Sequence, residues 1–375
     1  MRHEDPCILA VQKNYKEVGT MKNHRAGFIF VLVSIFFLTL TAFPTSALTA
    51  ELPKFITITA YPIGSLSSLL ATGFCSAIDK KTGIKARPTP ADTDMGRVLP
   101  VRKGESQATL LTGASCYVVS NGLQEFSVKG WGPQKIRTVF AGNKMFNGLG
   151  VKADSGIKTW SDFKGKKVAM GPGLLSMTIP GFLAYGGLTL KDVVVVRAAG
   201  YTAAVSMVQS DAADGCHAAA QSPNVKQWES SPHGLRYLPF DQKNKEGWER
   251  MSKEAPFMGP IWADSGALGE GGPKWLAYYP FVLDSYDTVD EKIIYTMVKA
   301  LVEGRDLYKD IQKPDSELWT LEETLNLNKP IFIPFHPGLI KYAKEMGKWT
   351  AEHEAWQAKA LSEEEKRIKA FQPKN

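Results

Sequence analysis

Lys167-Val168-Ala169-Met170, then Gly171-Pro172-Gly173, then Leu174-Leu175-Ser176-Met177-Thr178 sets a short apolar run against a glycine-proline turn and a longer apolar segment. Bounded in this way, the first run reads as a buried strand and the second as the start of a helix. Upstream, Lys158 to Gly165 reads as a short capped helix stopped by Gly165 and feeding that strand. Downstream, Val193 to Val196 is a continuous apolar strand, followed by Gly200-Tyr201 and a helix near Thr202 to Val208. The order recurs earlier in the chain. Phe55 to Thr59 alternates and is β-branched, a Pro/Gly/Ser segment spans Tyr61 to Ser68, and a helix-like run covers Leu69 to Lys81. A helical Met95 to Arg102 precedes a strand-like Ser106 to Thr112. Strands that alternate with helices predict an α/β protein with mainly parallel, helix-flanked sheets.

Beyond these units, Thr288-Val289-Asp290-Glu291 reads as a capping box. Behind it Val289, Ile293, Met297 and Leu301, widened by Ile294, Val298 and Val302, form a core-facing helical stripe. Gly259 to Tyr279 is rich in Gly and Trp and has no clear period, while Ala351 to Ala370 reads as a polar helix whose charge run is a solvated face.

The chain has 375 residues, of which 44% are hydrophobic and 22% charged, which excludes general disorder. A mean hydropathy of −0.17 and a single long uncharged apolar run, Ala26 to Phe43, exclude a polytopic membrane protein. The length suits about two domains. Lys22 and Arg25 precede the apolar run, Pro44 ends it and Thr45-Ser46-Ala47 supplies small residues, so residues 1–47 read as a secretion signal, with Met21 a candidate start. An uncleaved single-span anchor is the alternative, and either places the folded part outside the cytoplasm. Residues 1–47 carry five Lys/Arg against three Asp/Glu, so their removal lowers the formal charge from +7 to +5. No dense basic block interleaved with aromatics supports a nucleic-acid surface. Cys75, Cys116 and Cys216 remain, an odd number at wide spacing that specifies neither a disulfide framework nor a metal site; buried thiols are expected.

Gly171 to Thr178 lies between strand and helix, where free N–H groups and the helix dipole favour an anion such as a carboxylate. It lacks the lysine of a Walker loop, and a plain βα turn is the bland reading. Tyr61-Pro62-Ile63-Gly64-Ser65 has the same context. Cys216-His217 invites a nucleophile-and-base reading, yet adjacent strand residues point to opposite faces, so a buried Cys beside a satisfied or cleft-lining His is the default. His217, His233 and His336 are scattered, with no metal-ligand cluster, and no dinucleotide fingerprint occurs. No cofactor and no metal are expected.

Leu149-Gly150-Val151-Lys152-Ala153-Asp154-Ser155-Gly156-Ile157, Asp162 to Val168 and Gly171-Pro172-Gly173 resemble the centre of the TAXI family of solute receptors of TRAP transporters. Ile56-Thr57-Ile58, Lys103 to Ser106, Tyr201 to Asp214 and His336-Pro337-Gly338 with Tyr342 extend the resemblance over about residues 55–345. The resemblance implies a two-lobed, type II-like periplasmic-binding-protein fold with a hinge between lobes. It implies an organic anion or amino acid held in the cleft and delivered to an ion-gradient-driven TRAP membrane permease. Where the family has two tyrosines this chain has Ser67 and Ser68; Thr112 stands for a usual glutamine and Asn143 for a common tyrosine.

The candidate ligand contacts on the first lobe are Tyr61, Gly64, Ser65, Ser67, Thr112 and Asn143. On the second they are Gly171, Gly173, Ser176, Thr178, His217 and Gln221. The bland readings make Tyr61 a core aromatic, Ser67 a helix cap, Thr112 a strand filler and Gln221 a solvated turn residue. Residues 48–153 and 257–348 are expected to form one lobe, 154–256 the other and 349–375 a helical extension. The protein is expected to be a periplasmic monomer without catalytic residues, the alternative being an exported enzyme that uses Cys216 or His217.

Overall fold

β1 (Phe55–Ala60), β2 (Lys85–Pro90) and β3 (Ala108–Thr112) pair in parallel, with β1 between the other two. The computed structural model that shows this describes residues 52–373 except Gly64, Gln312, Pro314 and 328–332, and only the backbone of Asn143 and Asp315. The expected secretion signal, 1–47, therefore lies outside the described residues. The links are α1 (Leu66–Thr82) and α2 (Asp94–Arg102), and α3 (Gly113–Asn121) follows β3. The chain then enters β4 (Ile136–Lys152), from which β5 (Lys167–Met170), α4 (Leu174–Tyr185), β6 (Val194–Arg197), α5 (Tyr201–Gln209) and β7 (Gly215–Ala219) continue the alternation. After them come α6 (Pro223–Glu229), β8 (Leu235–Tyr237), α7 (Lys245–Glu254), β9 (Gly259–Ala263) and β10 (Lys274–Tyr286). The last helices are α8 (Glu291–Glu303), α9 (Leu321–Thr324), α10 (Pro337–Glu345) and α11 (Ala351–Ala370).

The strand order is β2-β1-β3-β10-β4-β7-β5-β6, with β8 on β4 and β9 on β10. The outer strands pair in parallel, β1 with β2 and β3, β5 with β6 and β7. The two long central strands run antiparallel to each other. β10 pairs with β3 through Phe281 to Asp284, and β4 pairs with β7 through Asn147 to Val151, so these two strands carry the chain from one lobe to the other. The β4–β10 register shifts at Pro280/Phe281 and at Leu283/Asp284. A proline offers no N–H to a ladder, and an irregular pairing bends a strand where it occurs. The fold is thus the expected α/β, two-lobed arrangement.

Local chemistry explains where elements depart from expectation. Residues 274–279 of β10 fall in the stretch without a period, and from Pro280 to Tyr286 the strand is buried on both faces and so shows no alternation. β6 is apolar but sits at the edge of the sheet, with Val194 half-exposed at 52%. Thr288 does not cap α8; Asp290 does, accepting from the Lys292 N–H. The core face of α8 is Ile294, Met297, Val298 and Leu301, as the stripe predicts. The run before β5 is a single 3-10 turn, Ser161–Phe163, and Asp162 Oδ2 accepts from the N–H groups of Lys158 and Thr159.

The tail helix α11 has the expected bounds, but its charges are not all solvated. Glu364 is buried and receives two hydrogen bonds from Arg137 on β4, at 2.7 and 2.9 Å. Gln357 donates to the Phe335 carbonyl and accepts from the Phe335 N–H, which fastens the helix to the strand bridge at Phe335. His336-Pro337-Gly338 is a cap: His336 Nδ1 accepts from the Gly338 N–H. A Cβ on Gly338 would stand 2.5 Å from the Glu291 carbonyl oxygen, so the glycine lets α10 meet α8 at backbone distance. The motif is structural and lies apart from the cleft described next.

Candidate functional site

The C-terminal ends of β1, β2 and β3 face those of β5, β6 and β7 across a cleft of about 800 Å³. Tyr61, Pro62, Ile63, Ser65, Asp92, Thr93, Asp94, Arg97, Ser115 and Glu125 line it from one lobe. Pro172 to Leu175, Ala199 to Ala203, Ser222 to Asn224 and Gln227 line it from the other. Loops after strand C-termini are where α/β sheets collect helix N-termini, and hence backbone donors.

The two walls treat their helix starts differently. On the first lobe Ser65, Thr93 and Thr112 each cap a helix with the side-chain oxygen. Ser65 Oγ accepts from the Ser68 N–H at 3.1 Å and keeps its own O–H as a donor. On the second lobe α4 and α5 start at Gly173 and Gly200 with no side-chain cap. Gly173 adopts φ +64°, a left-handed conformation that a glycine takes at no steric cost.

Tyr61 and Arg97 form the floor of the first wall. The Arg97 guanidinium lies 3.6 Å above the Tyr61 ring centroid, donates through Nη1 to the Ala91 carbonyl at 2.8 Å, and pairs through Nη2 with Asp94 Oδ1. Arg97 and Asp94 are both buried, so neither charge is shared with bulk water. Tyr61 Oη meets Ser115 Oγ at 2.8 Å, and burial pushes its phenol above the usual range. Burial first, and then the Asp94 carboxylate, raise Glu125.

Gln124, on the first lobe, reaches across the cleft. Its Oε1 accepts from the Gly173 N–H at 3.1 Å, and its Nε2 donates to Ser176 Oγ at 2.5 Å and to the Gly173 carbonyl at 3.5 Å. Gln124 holds φ +51°, a left-handed conformation costly for a residue with a Cβ. Ser176 Oγ also donates to the Gly173 carbonyl at 2.7 Å. The anion loop read from the sequence is therefore already engaged by an amide from the opposite lobe.

Of the twelve candidates, Tyr61, Ser65 and Gly173 line the cavity. Gly64 lies outside the described residues, as does the side chain of Asn143. Ser67 is buried and accepts from the Tyr61 N–H at 3.3 Å, which sets the loop. Thr112 caps α3 and donates to Ser115 Oγ at 3.1 Å. Gly171 packs where a Cβ would stand 2.7 Å from the Ala198 carbonyl oxygen. Gln221 is buried, accepting from the Phe146 N–H and donating to the Lys144 carbonyl, so it joins the β7 end to β4 instead of being a solvated turn residue.

Thr178 and His217 meet in the core. Thr178 Oγ1 donates to the Leu174 carbonyl and stands 2.9 Å from His217 Nδ1. His217 packs against the rings of Phe182, Tyr201 and Tyr279, and its Nε2 has no partner among the described residues. Burial lowers its pKa to about 3, so the ring is neutral. Cys216, its neighbour on β7, is buried and its thiol is pushed far up by desolvation. The two do not form a nucleophile with its base. Cys75, Cys116 and Cys216 are free thiols, and all are buried. Among the described residues no group of three or more His, Cys, Asp or Glu could hold a metal ion, and no helix is long and apolar enough to cross a membrane.

Sequence reasoning missed Asp94, Arg97, Gln124 and Glu125. The first two stand three apart on a helix, the usual spacing of a solvated pair, and nothing in the linear order places them beneath the Tyr61 loop. The left-handed Gln124 carries no glycine signal.

No curated protein matches the chain. Solved structures similar to it include the alkanesulfonate-binding protein SsuA of Xanthomonas axonopodis pv. citri bound to MOPS, at 14% identity, covering 85% of this chain and 95% of that one, with a TM-score of 0.46. An R. palustris protein solved with adipate aligns at 12% identity over 85% and 99% of the two chains, with a TM-score of 0.46. The protein PhnD1 of Prochlorococcus marinus, in complex with methylphosphonate, aligns at 10% identity over 79% and 100%, with a TM-score of 0.45. The family comparison is decisive where these are not: residues 60–347 match the NMT1-like family, and the chain belongs to it.

Proposed function

We propose that the protein is an extracytoplasmic solute-binding receptor that captures a small organic acid or amino acid between its lobes and delivers it to a TRAP-type membrane permease. The observation that carries this reading is the interlobe cleft. At about 800 Å³ it falls within the range of small-molecule sites, roughly 300–1,000 Å³, and backbone and side-chain donors meet in it from both lobes. Membership of the NMT1-like family and the TAXI-like motifs support the same role. The lobes are 48–153 with 257–348, and 154–256; the export signal is 1–47, the location is the periplasm and the working form is a monomer. The ligand contacts assigned to the cleft are Tyr61, Ser65 and Gly173 from the sequence, joined by Asp94 and Glu125.

No catalytic step is assigned. Turnover needs a base or nucleophile with a positioned partner at the reacting atoms, and His217 and Cys216 are both buried in the core away from the cavity lining. The deciding experiment is native mass spectrometry of protein isolated from its own cells, followed by denaturation. A small solute bound at one per chain and recovered chemically unchanged is expected. Conversion of that solute on incubation with fresh protein would replace the receptor with an enzyme.

A further inference from the structure

The charged side chains on the cleft wall are Asp92, Asp94 and Glu125 against Arg97 alone, a formal balance of −2. Arg97 is not available to an incoming anion. One of its nitrogens pairs with Asp94, another donates to the Ala91 carbonyl, its face rests on Tyr61, and its third nitrogen, the unpartnered Nε, is buried. Among the described residues the opposite wall contributes no charged side chain. A cleft that receives simple dicarboxylates would add two negative charges to this set at close range and low dielectric.

We propose that the solute held here carries a protonated amine, seated against Asp94 Oδ2 and the Glu125 carboxylate, and that the cleft discriminates against solutes whose only charges are negative. The proposal rests on the receptor reading above. Asp94 supplies the most specific contact. Its side chain is 3% exposed, Oδ1 is taken by Arg97, and Oδ2 accepts no hydrogen bond among the described residues. That oxygen lies 3.6 Å from where a Cβ on Gly173 would stand, so it faces the second lobe across the cavity. A carboxylate oxygen left without a donor in a side chain this deeply buried is costly, and an ammonium N–H satisfies it with charge assistance. Glu125 has no side-chain hydrogen-bond or ion-pair partner among the described residues, and burial first, then the nearby Asp94 carboxylate, raise its pKa.

The second wall suits the other end of such a solute. The uncapped starts of α4 and α5 leave backbone donors toward the cavity, next to the neutral Asn224 and Gln227. Gln124 already holds the Gly173 N–H, so the donors of α5 around Tyr201 and Thr202 remain for a carboxylate or other polar group. An amine at one end and an acid at the other would span the lobes with complementary charge at each wall.

The test uses three four-carbon probes that differ only in end groups: putrescine, 4-aminobutyrate and succinate. Calorimetric titration of the purified protein is expected to show saturable binding of 4-aminobutyrate or putrescine and none of succinate. Glu125→Gln should weaken that binding about tenfold or more while leaving the melting temperature of the unliganded protein in place. This variant is preferred to Asp94→Asn, which strands the buried Arg97 charge and confounds binding with folding. Binding of succinate alone, or of none of the three, overturns the amine assignment, as does a Glu125→Gln protein with unchanged affinity. The receptor reading is judged separately: a native complex with a nitrogen-free acid would leave it standing while this inference falls.

Discussion

Replacement of Asp284 by Asn should abolish a pH dependence that the wild-type fold carries across neutrality. Asp284 is fully buried on β10, beside the Leu283/Asp284 register shift, where its Oδ2 accepts from Cys116 Sγ at 3.1 Å and its Oδ1 has no partner among the described residues. Burial raises its pKa from 3.8 to about 8. In the unfolded chain the carboxyl loses its proton near 3.8, so between about pH 4 and pH 8 the folded state holds one proton more. Its contribution to stability is therefore fully present below the unfolded pKa and is lost as pH rises through that window, by about 1.4 kcal/mol per pH unit. From pH 5.5 to pH 7.5 the loss is about 2.7 kcal/mol.

His217 and His336, lowered by burial to about 3 and about 4, act in the opposite sense below pH 6.5. They mask the slope in the wild type there, but they cancel in the difference between wild type and Asp284→Asn. Urea denaturation of both proteins at pH 5.5, 6.5, 7.5 and 8.5 is the assay, and the variant should gain on the wild type steadily up to about pH 8. A stability difference that stays constant over that range would refute the assignment of a neutral acid at this position.

Gln124→Ala removes three hydrogen bonds between the lobes and should shift the unliganded protein toward an open state by about 1–3 kcal/mol. Small-angle scattering should then give a larger radius of gyration than wild type, and equal radii would sink the latch. Glu364→Ala removes the two close carboxylate hydrogen bonds of buried Arg137 and leaves it, as carboxylate, only Asp287 Oδ2 at 3.8 Å, which should cost up to about 3–5 kcal/mol in urea, whereas Lys359→Ala on the exposed face of α11 should cost less than about 0.5. Peptide mapping after iodoacetamide treatment of native protein at pH 8 should find Cys75, Cys116 and Cys216 unmodified, and labelling of Cys216 without urea would reopen a nucleophilic role. Mass spectrometry of periplasmic protein should find an N-terminus near Leu48; an intact start at Met21 in the membrane fraction would favour the anchor.

The βα units were legible because each combines a short apolar run with turn chemistry that local rules can read. Gly171-Pro172-Gly173 after Val168-Ala169-Met170 needs no tertiary information, whereas the cap read at Ser67 falls in the structure to Ser65. The hinge strands were not legible for a physical reason. β10 is covered on both faces and passes Pro280 at an irregularity, so neither alternation nor uninterrupted β-propensity marks it. The tail misled differently. Glu364 sits in a run of charges that reads as solvated, and its burial depends on Arg137, 227 positions away on β4.

The cleft shows why the chemistry of a site is harder to read than its place. Ser65, Thr112, Ser176 and Thr178 each suggested a free hydroxyl for an anion. A hydroxyl at the start of a helix, however, meets an unpaired backbone N–H before it meets any ligand, and one inside the first turns meets a carbonyl. Thr112 donates to Ser115, Ser176 to the Gly173 carbonyl and Thr178 to the Leu174 carbonyl, so of the four only Ser65 keeps a donor for the cavity. Once the neutral donors are engaged locally, the field in the cleft is set by the groups that local bonding cannot satisfy. These are Asp94 Oδ2 and the Glu125 carboxylate, since the single guanidinium beside them is paired with Asp94 Oδ1 and keeps its unpartnered Nε buried. The loop position follows from strand and turn signals alone, but the sign of the charge the loop surrounds depends on which side chains folding leaves without a partner, and for this cleft that sign is negative.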